Sequence, residues 1–268
     1  MRDTCTFQIR SHGLLFVLGA LLLVSTGCGP QATSSLDGAC RDYRLGKYEA
    51  AMDGAMAARY TGTTRDREEA SYVAGLSAAR LGRNATARTM LEKAVSSSDR
   101  TIAGNANATL GTVLLDDGQP LDAARCFDRA SELLVGEDQN RARMDAGFAY
   151  KDAGRLTEAR KRFDAAGGAA DTTLRQRSRQ EVARTGFAIQ AGAFVERSNA
   201  VEHAGKVSAA SSRVGMPQAR IVTVQRGART LHLVQLGSYP DRSWAATQRS
   251  RLDGSLQGLT IVPIAVAD

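Results

Sequence analysis

IQAGAF (189–194) and VQLGSY (234–239) are one phrase written twice, with Gln190 and Gln235 in the same place. Each runs aliphatic residue, Gln, apolar residue, Gly, small residue, aromatic. FAIQAGAF (187–194), ARIVTV (219–224) and TLHLVQL (230–236) alternate with period two, and GLTIVPIAV (258–266) is a β-branched run. Such patterns mark strands with one buried face. Between the first two, SNAVEHAGKV (198–207) sets Ala200, Ala204 and Val207 on one helical face, and SWAATQRSRL (243–252) does the same with Ala245 and Leu252. The order is β-α-β-β-α-β, with QRGAR (225–229) as the hairpin between the middle strands. ERSNA (196–200) and DRSWA (241–245) both start two residues past the aromatic, where an acidic residue and Ser can cap a helix.

Two such halves predict a small α+β domain, ferredoxin/RNP-like. Its four-stranded antiparallel sheet has strands 1 and 3 in the centre and both helices on one face. Pro263 then falls in the edge strand 4, where a missing N–H is tolerated.

This region, 187–268, resembles the SPOR domain, the sporulation-related repeat, whose halves each carry a V-Q-V-G-x-F type strand. The resemblance implies binding to peptidoglycan glycan strands, preferably where stem peptides have been stripped. Strand alternation turns Ile189, Ala191, Val234 and Leu236 toward the helices and Gln190, Leu233 and Gln235 to the open face. The paired glutamines would offer amide donors and carbonyl acceptors to sugar hydroxyl and acetamido groups. Gly192 and Gly237 would let a chain approach closely. Leu233 stands where the family often has Arg, so Arg229 or Arg220 is expected to supply charge nearby. Phe194 and Tyr239 read as closing the core at the strand ends, and Trp244 as a lid over the helix–sheet core. The competing reading of both glutamines is a solvated surface.

Before this region the chain repeats at a longer period. LGKYEAA, LGRNATA, DGQPLDA and AGRLTEA place Gly46, Gly82, Gly118 and Gly154 each 36 residues after the last. Ala51, Ala87, Ala123 and Ala159 follow at a fixed offset, as do Ala58, Ala94, Ala130 and Ala166, while Ala39, Gly75, Gly111 and Gly147 precede. Small residues let two antiparallel helices approach, glycine ends the first of them, and hairpins stack because none buries its apolar stripe alone.

This resembles the tetratricopeptide repeat (TPR) and implies an all-α solenoid over 36–170, with 171–186 as a capping helix and linker. Its longer period implies longer connections between repeats. Family groove positions carried over are Glu69, Tyr72, Leu76 and Arg80, then Thr112, Leu115 and Asp116, then Met144, Phe148, Lys151 and Asp152. They imply a protein or peptide partner, although Leu76, Leu115 and Phe148 read equally well as core between repeats.

The N-terminus, MRDTCTFQIRSH, is followed by the uncharged run GLLFVLGALLLV (13–24). Twelve apolar residues fall short of the roughly 20 that span a bilayer, and basic start, short apolar core and small residues form a secretory signal. VSTGC (24–28) resembles a bacterial lipobox, with Ser25 where an aliphatic residue is usual. It implies a signal at 1–27, Cys28 as lipid acceptor, a linker over 28–35 and a membrane-held protein facing the periplasm. The alternative is an ordinary signal cleaved nearby. Cys40 and Cys126 lie in non-adjacent repeats and read as small buried apolar residues rather than a disulfide pair.

Charge is unevenly spread: 20 basic and 20 acidic residues in 29–170, 4 and 2 in 171–184, 9 and 5 in 185–268. No dense basic run with interleaved aromatics accompanies the excess, so nucleic acid is not an expected partner. His12, His203 and His232 lack metal-ligand spacing, and no nucleophile elbow, P-loop or zinc-protease motif occurs. The expectation is a non-enzymatic, multidomain envelope lipoprotein without cofactor, binding glycan at one end and protein at the other. The alternative is a TPR scaffold for an envelope, secretion or pilus complex with a degenerate SPOR domain.

Overall fold

The structure, a computed structural model, describes residues 36–252 and 254–265. The proposed signal, Cys28 and the linker lie outside them. Helices α1 (Leu36–Arg44), α2 (Tyr48–Ala58), α3 (Thr64–Arg80), α4 (Asn84–Ala94) and α5 (Arg100–Asp116) come first. After these come α6 (Pro120–Leu133), α7 (Gly136–Asp152), α8 (Leu156–Ala166) and α9 (Thr172–Arg184). The remaining elements are β1 (Phe187–Phe194), α10 (Arg197–Arg213), β2 (Arg220–Arg226), β3 (Arg229–Tyr239), α11 (Arg242–Ser250) and β4 (Thr260–Pro263). The fold is a TPR-like helical solenoid followed by a small α+β domain.

The 36-residue period is visible in the backbone. Gly46, Gly82, Gly118 and Gly154 have φ of 74°, 70°, 71° and 73°. Behind the left-handed glycine, Arg83 N–H donates to Ala78 O at 2.9 Å and Arg155 N–H to Tyr150 O at 2.8 Å, closing the helix end. Next helices are started by side chains. Thr63 and Asp66 form a capping box on α3, and Asp99 and Asp171 accept from the first amides of α5 and α9. The extra length of the repeat goes into connections at 59–63 and 95–99, and in the third repeat into α6, which reaches 14 residues.

Small residues sit where helices meet. A Cβ on Gly75 would lie 2.7 Å from Leu91 Cγ, and one on Gly147 would lie 2.5 Å from Phe163 Cε1. Ala51, Ala87, Ala123 and Ala159 are fully buried. Cys40 is buried as expected, and Cys126 is half-buried.

The chain divides into two compact units. One holds the described residues to Gly118 with Glu132–Leu134, and the other Gln119–Ser131 and the chain from Val135 onward. In the second, Asp128 of α6 accepts from Tyr150 Oη at 2.8 Å and pairs with Arg162. Helix α9 is fastened to α8 by Ser178 Oγ, which donates to Phe163 O at 2.6 Å. Arg160 then ties α8 to the end of α9 and to β3: Nη1 donates to Val182 O, Thr185 O and Ser238 Oγ at 2.8, 2.7 and 3.0 Å. The last repeat, α9 and the sheet thus share one polar node.

The sheet order is β2-β3-β1-β4, all antiparallel, with Pro263 on the edge strand as expected. Ile189, Ala191, Val234 and Leu236 pack with Ala200, Ala204 and Val207 of α10 and with Ala245 and Leu252. Burying each large aliphatic side chain here contributes about 1.5–3 kcal/mol.

Replacing Gly147 by Ala forces a methyl into the Phe163 ring and should cost about 1–3 kcal/mol. At Gly168 an added Cβ meets nothing within 4 Å, so Gly168→Ala should stay within about 0.5 kcal/mol. Urea unfolding of both variants measures the difference.

Candidate functional site

On the sheet face away from α10 and α11, register assembles one polar line. Arg220 on β2 pairs with Gln235 on β3, Gln235 with Gln190 on β1, and Gln190 with Thr260 on β4. Directly opposed residues share a face, so a cation, two amides and a hydroxyl cross the sheet from edge to edge. Flanking positions are apolar: Val222, Leu233 and Ala193 on one side, Ala188 and Val262 on the other.

Exposure along the line is uneven. Gln235 is 0% exposed, Arg220 and Gln190 are half-buried, and Thr260 is exposed. The Nε2 amide of Gln235 and the Nε of Arg220 are sealed without a hydrogen-bond partner. A long contact, 3.5 Å, joins Arg220 Nη2 to Gln235 Oε1. Burial lowers the pKa of the Arg220 guanidinium.

The two glycines do other work than expected. Register slips between Gln190 and Gly192 on β1, and between Ile189 and Phe187 opposite Leu236–Tyr239 on β3, so each copy of the phrase carries a bulge next to its glycine. A Cβ on Gly192 would lie 2.6 Å from Phe194 Cε2, and one on Gly237 2.3 Å from Tyr239 Cζ. The aromatic two residues on folds back over its own glycine in both copies. The space above Gly192 and Gly237 is therefore filled from within, which corrects their reading as places for a ligand chain to approach. On β1 the bulge is tied down by His203, whose Nε2 lies 3.0 Å from Ala191 O and so acts as the donor. Phe194 and Tyr239 pack against the core, in keeping with their reading as closures.

Other placements differ from expectation. Leu233 is buried beside Gln235, so neither lies open on the surface as read from alternation alone. Arg229 sits at the hairpin opposite Arg226, six residues from Gln235 and so about 20 Å along the strand. Arg220 is the cation beside the glutamine. Trp244 is 56% exposed and is no lid, the buried position being taken by Ala245. Of the paired helix starts, Asp241 caps Trp244 N–H at 2.7 Å, whereas Glu196 makes no side-chain cap bond.

Residues 183–261 match the SPOR domain family. None of the curated proteins compared with the chain matches it. Among solved structures, the chain is similar to the crystal structure of MamA, at 21% identity over 54% of this chain and 78% of that one, with a TM-score of 0.45. It is also similar to a Podosopora anserina kinesin light chain protein with nearly identical TPR-like repeats, at 16% identity over 57% and 86%, with a TM-score of 0.47.

The SPOR sheet thus carries the polar line on the face away from α10 and α11. Among the described residues, no group of three or more His, Cys, Asp or Glu is placed to hold a metal ion, and no helix is long and apolar enough to cross a membrane.

The solenoid positions divide by burial. Tyr72 and Met144 are core residues, which corrects their reading as groove contacts, and Leu76 takes the core reading offered beside the groove one. Large side chains between the small ones of the first helices fill the next layer, and Met144 does so against Phe163. Arg80 is exposed, with Nε donating to Tyr43 Oη at 3.1 Å, and Thr112 is exposed and back-bonded to Ala108 O. Leu115 is half-buried. Phe148 packs edge-on against Phe163 at 5.0 Å while Arg177 covers its ring at 4.8 Å, and Lys151 pairs with Glu181 at 2.9 Å.

One turn from Phe148, desolvation pushes the Asp145 carboxyl up to about 6 against the pull of Arg177 and Arg141. Its side chain nevertheless reaches solvent, so the effect on stability is small. Folding favours the protonated acid, a contribution that is whole below the ordinary value of 3.8 and lost as pH rises through about 6. Asp145→Asn should flatten that part of the fall in Tm between about pH 4 and about pH 7, as thermal scans across pH would record.

Gly237→Ala combines a φ of 68° with the Tyr239 ring clash, and should cost roughly 2–4 kcal/mol. Gly192→Ala, without the positive φ, should cost less. In Gly237→Ala/Tyr239→Ala the clash is gone and the backbone cost stays, so denaturant titration of the cycle separates the two.

Proposed function

We propose that this chain is a non-enzymatic adaptor of the bacterial cell envelope. Its SPOR domain binds peptidoglycan glycan strands, preferably poor in stem peptides, and its solenoid binds a protein or peptide partner. The observation that carries this reading is the line Arg220–Gln235–Gln190–Thr260 across the face of a domain that matches the SPOR family. Amide and hydroxyl groups match the hydroxyl and acetamido groups of an N-acetylated glycan, each net hydrogen bond contributing about 0.5–1.5 kcal/mol. A linear polymer lies naturally along a row of this kind, and many repeats on one strand compensate for modest affinity at each.

On the solenoid, Arg80, Thr112 and Leu115 remain as candidate contacts in one compact unit, and Phe148 and Lys151 in the other. Their mixed polar and apolar character suits a peptide. Lipidation at Cys28 would hold the protein to a membrane facing the periplasm. From there it would couple an envelope layer to the wall or gather factors at a division site.

A second reading has its own support. Burial of Gln235 and Leu233 suits a SPOR domain that has given up glycan, leaving a TPR scaffold for assembly of an envelope, secretion or pilus complex.

Co-sedimentation of the purified chain with isolated sacculi separates the readings. Glycan binding puts it in the pellet, more so after amidase has removed stem peptides, and Gln190→Ala lowers the bound fraction several-fold. A folded chain that stays in the supernatant with both sacculi rejects glycan binding in favour of the scaffold.

A further inference from the structure

Among the described residues, Arg220 is a cation without a counter-charge. It opens β2 half-buried, its Nε is sealed and unpartnered, and no carboxylate among the described residues pairs with it. Its neighbours along the polar line, Gln235, Gln190 and Thr260, are neutral, and the flanking rows are apolar. Among the described residues, its guanidinium finds a polar contact only in the long one to Gln235 Oε1. An arginine drawn out of water with no acid beside it is costly to keep unless an anion completes it. Gln235 adds a second unsatisfied donor, the Nε2 amide, on the same face one strand away, in a side chain with no exposure at all. Two orphaned donors and no orphaned acceptor in this pair call for an acceptor with negative charge, and the planar fork of Arg suits a carboxylate.

The geometry points to Arg220, positioned by Gln235, as the residue that reads a free lactyl carboxylate on the muramic acid units of a glycan strand. This rests on the glycan-binding reading and explains how stripped strands would be told from intact ones. In an intact strand the lactyl carboxyl is tied to the stem peptide as a neutral amide. Hydrolysis of that amide leaves an anion on the strand. Selection follows from charge at the lactyl position, where an anionic acceptor exists only once the peptide is gone. The basic excess of the chain after residue 170 draws the same polymer.

The test compares one polymer in two chemical states, using the whole chain. Soluble strands from amidase-digested sacculi carry free lactyl carboxylates, and a portion is capped with methylamine to neutral amides. The wild type should bind uncapped strands about tenfold more tightly than capped ones, with the difference shrinking as salt is raised. Arg220→Gln should bind both alike at the capped level, Arg220→Lys should keep part of the preference, and Arg229→Gln should leave it intact. Equal binding of the two polymers by the wild type, or a preference that survives in folded Arg220→Gln, overturns the assignment while glycan binding stands. A wild type that binds neither polymer removes the glycan reading itself.

Discussion

The pairing of Gln190 with Gln235 across the two central strands is the contact from which the SPOR sheet is laid out. Once β1 and β3 are locked in that register, Arg220 and Thr260 are brought into line by the outer strands, and the aliphatic residues on either side of each glutamine fall onto the helices. A slip of one residue would turn the glutamines into the core and Ile189 and Val234 out of it. The bulges at the ends of the phrase resist such a slip, because each is wedged by an aromatic ring folded over a glycine that has no room for a side chain. Duplication of the phrase is thus duplication of a locking device.

The solenoid depends on the opposite use of glycine. At Gly46, Gly82, Gly118 and Gly154 the backbone takes a conformation that other residues reach at a cost of roughly 1–2 kcal/mol. At Gly75 and Gly147 the absence of a side chain lets Leu91 and Phe163 reach the facing helix. Arg160 carries this order into the sheet, satisfying two carbonyls near the end of α9 and the hydroxyl of Ser238 beside the β3 bulge. Burial lowers the pKa of its guanidinium, against the pull of Asp164.

Much of this was legible in the sequence because it is periodic. The 36-residue spacing located the helix-ending glycines, and strand alternation assigned Ile189, Ala191, Val234 and Leu236 to the core. The polar line was only half legible. Arg220 could have been found by counting back from a two-residue Gly227–Ala228 turn, since pairing Arg226 with Arg229 brings Arg220 opposite Gln235. Thr260 could not, because no turn joins β1 to β4 and nothing local sets their register. Gly192 and Gly237 misled because a glycine kept clear for a ligand and one covered by its own neighbour look alike in sequence. Trp244 misled by one position: Ala245, about 100° further round the helix, takes the buried place.

The central claim is that this chain meets its ligand along the line of Arg220, Gln190 and Thr260, with Gln235 buried between them. Amide chemical shifts of the isotope-labelled chain, followed as peptide-free glycan oligosaccharides are added, test it most directly. The account predicts saturable shifts concentrated at those four residues and their strand neighbours, with α10 and α11 little changed. Shifts confined to the helix-covered side of the sheet, or to α7 and α9, would contradict it.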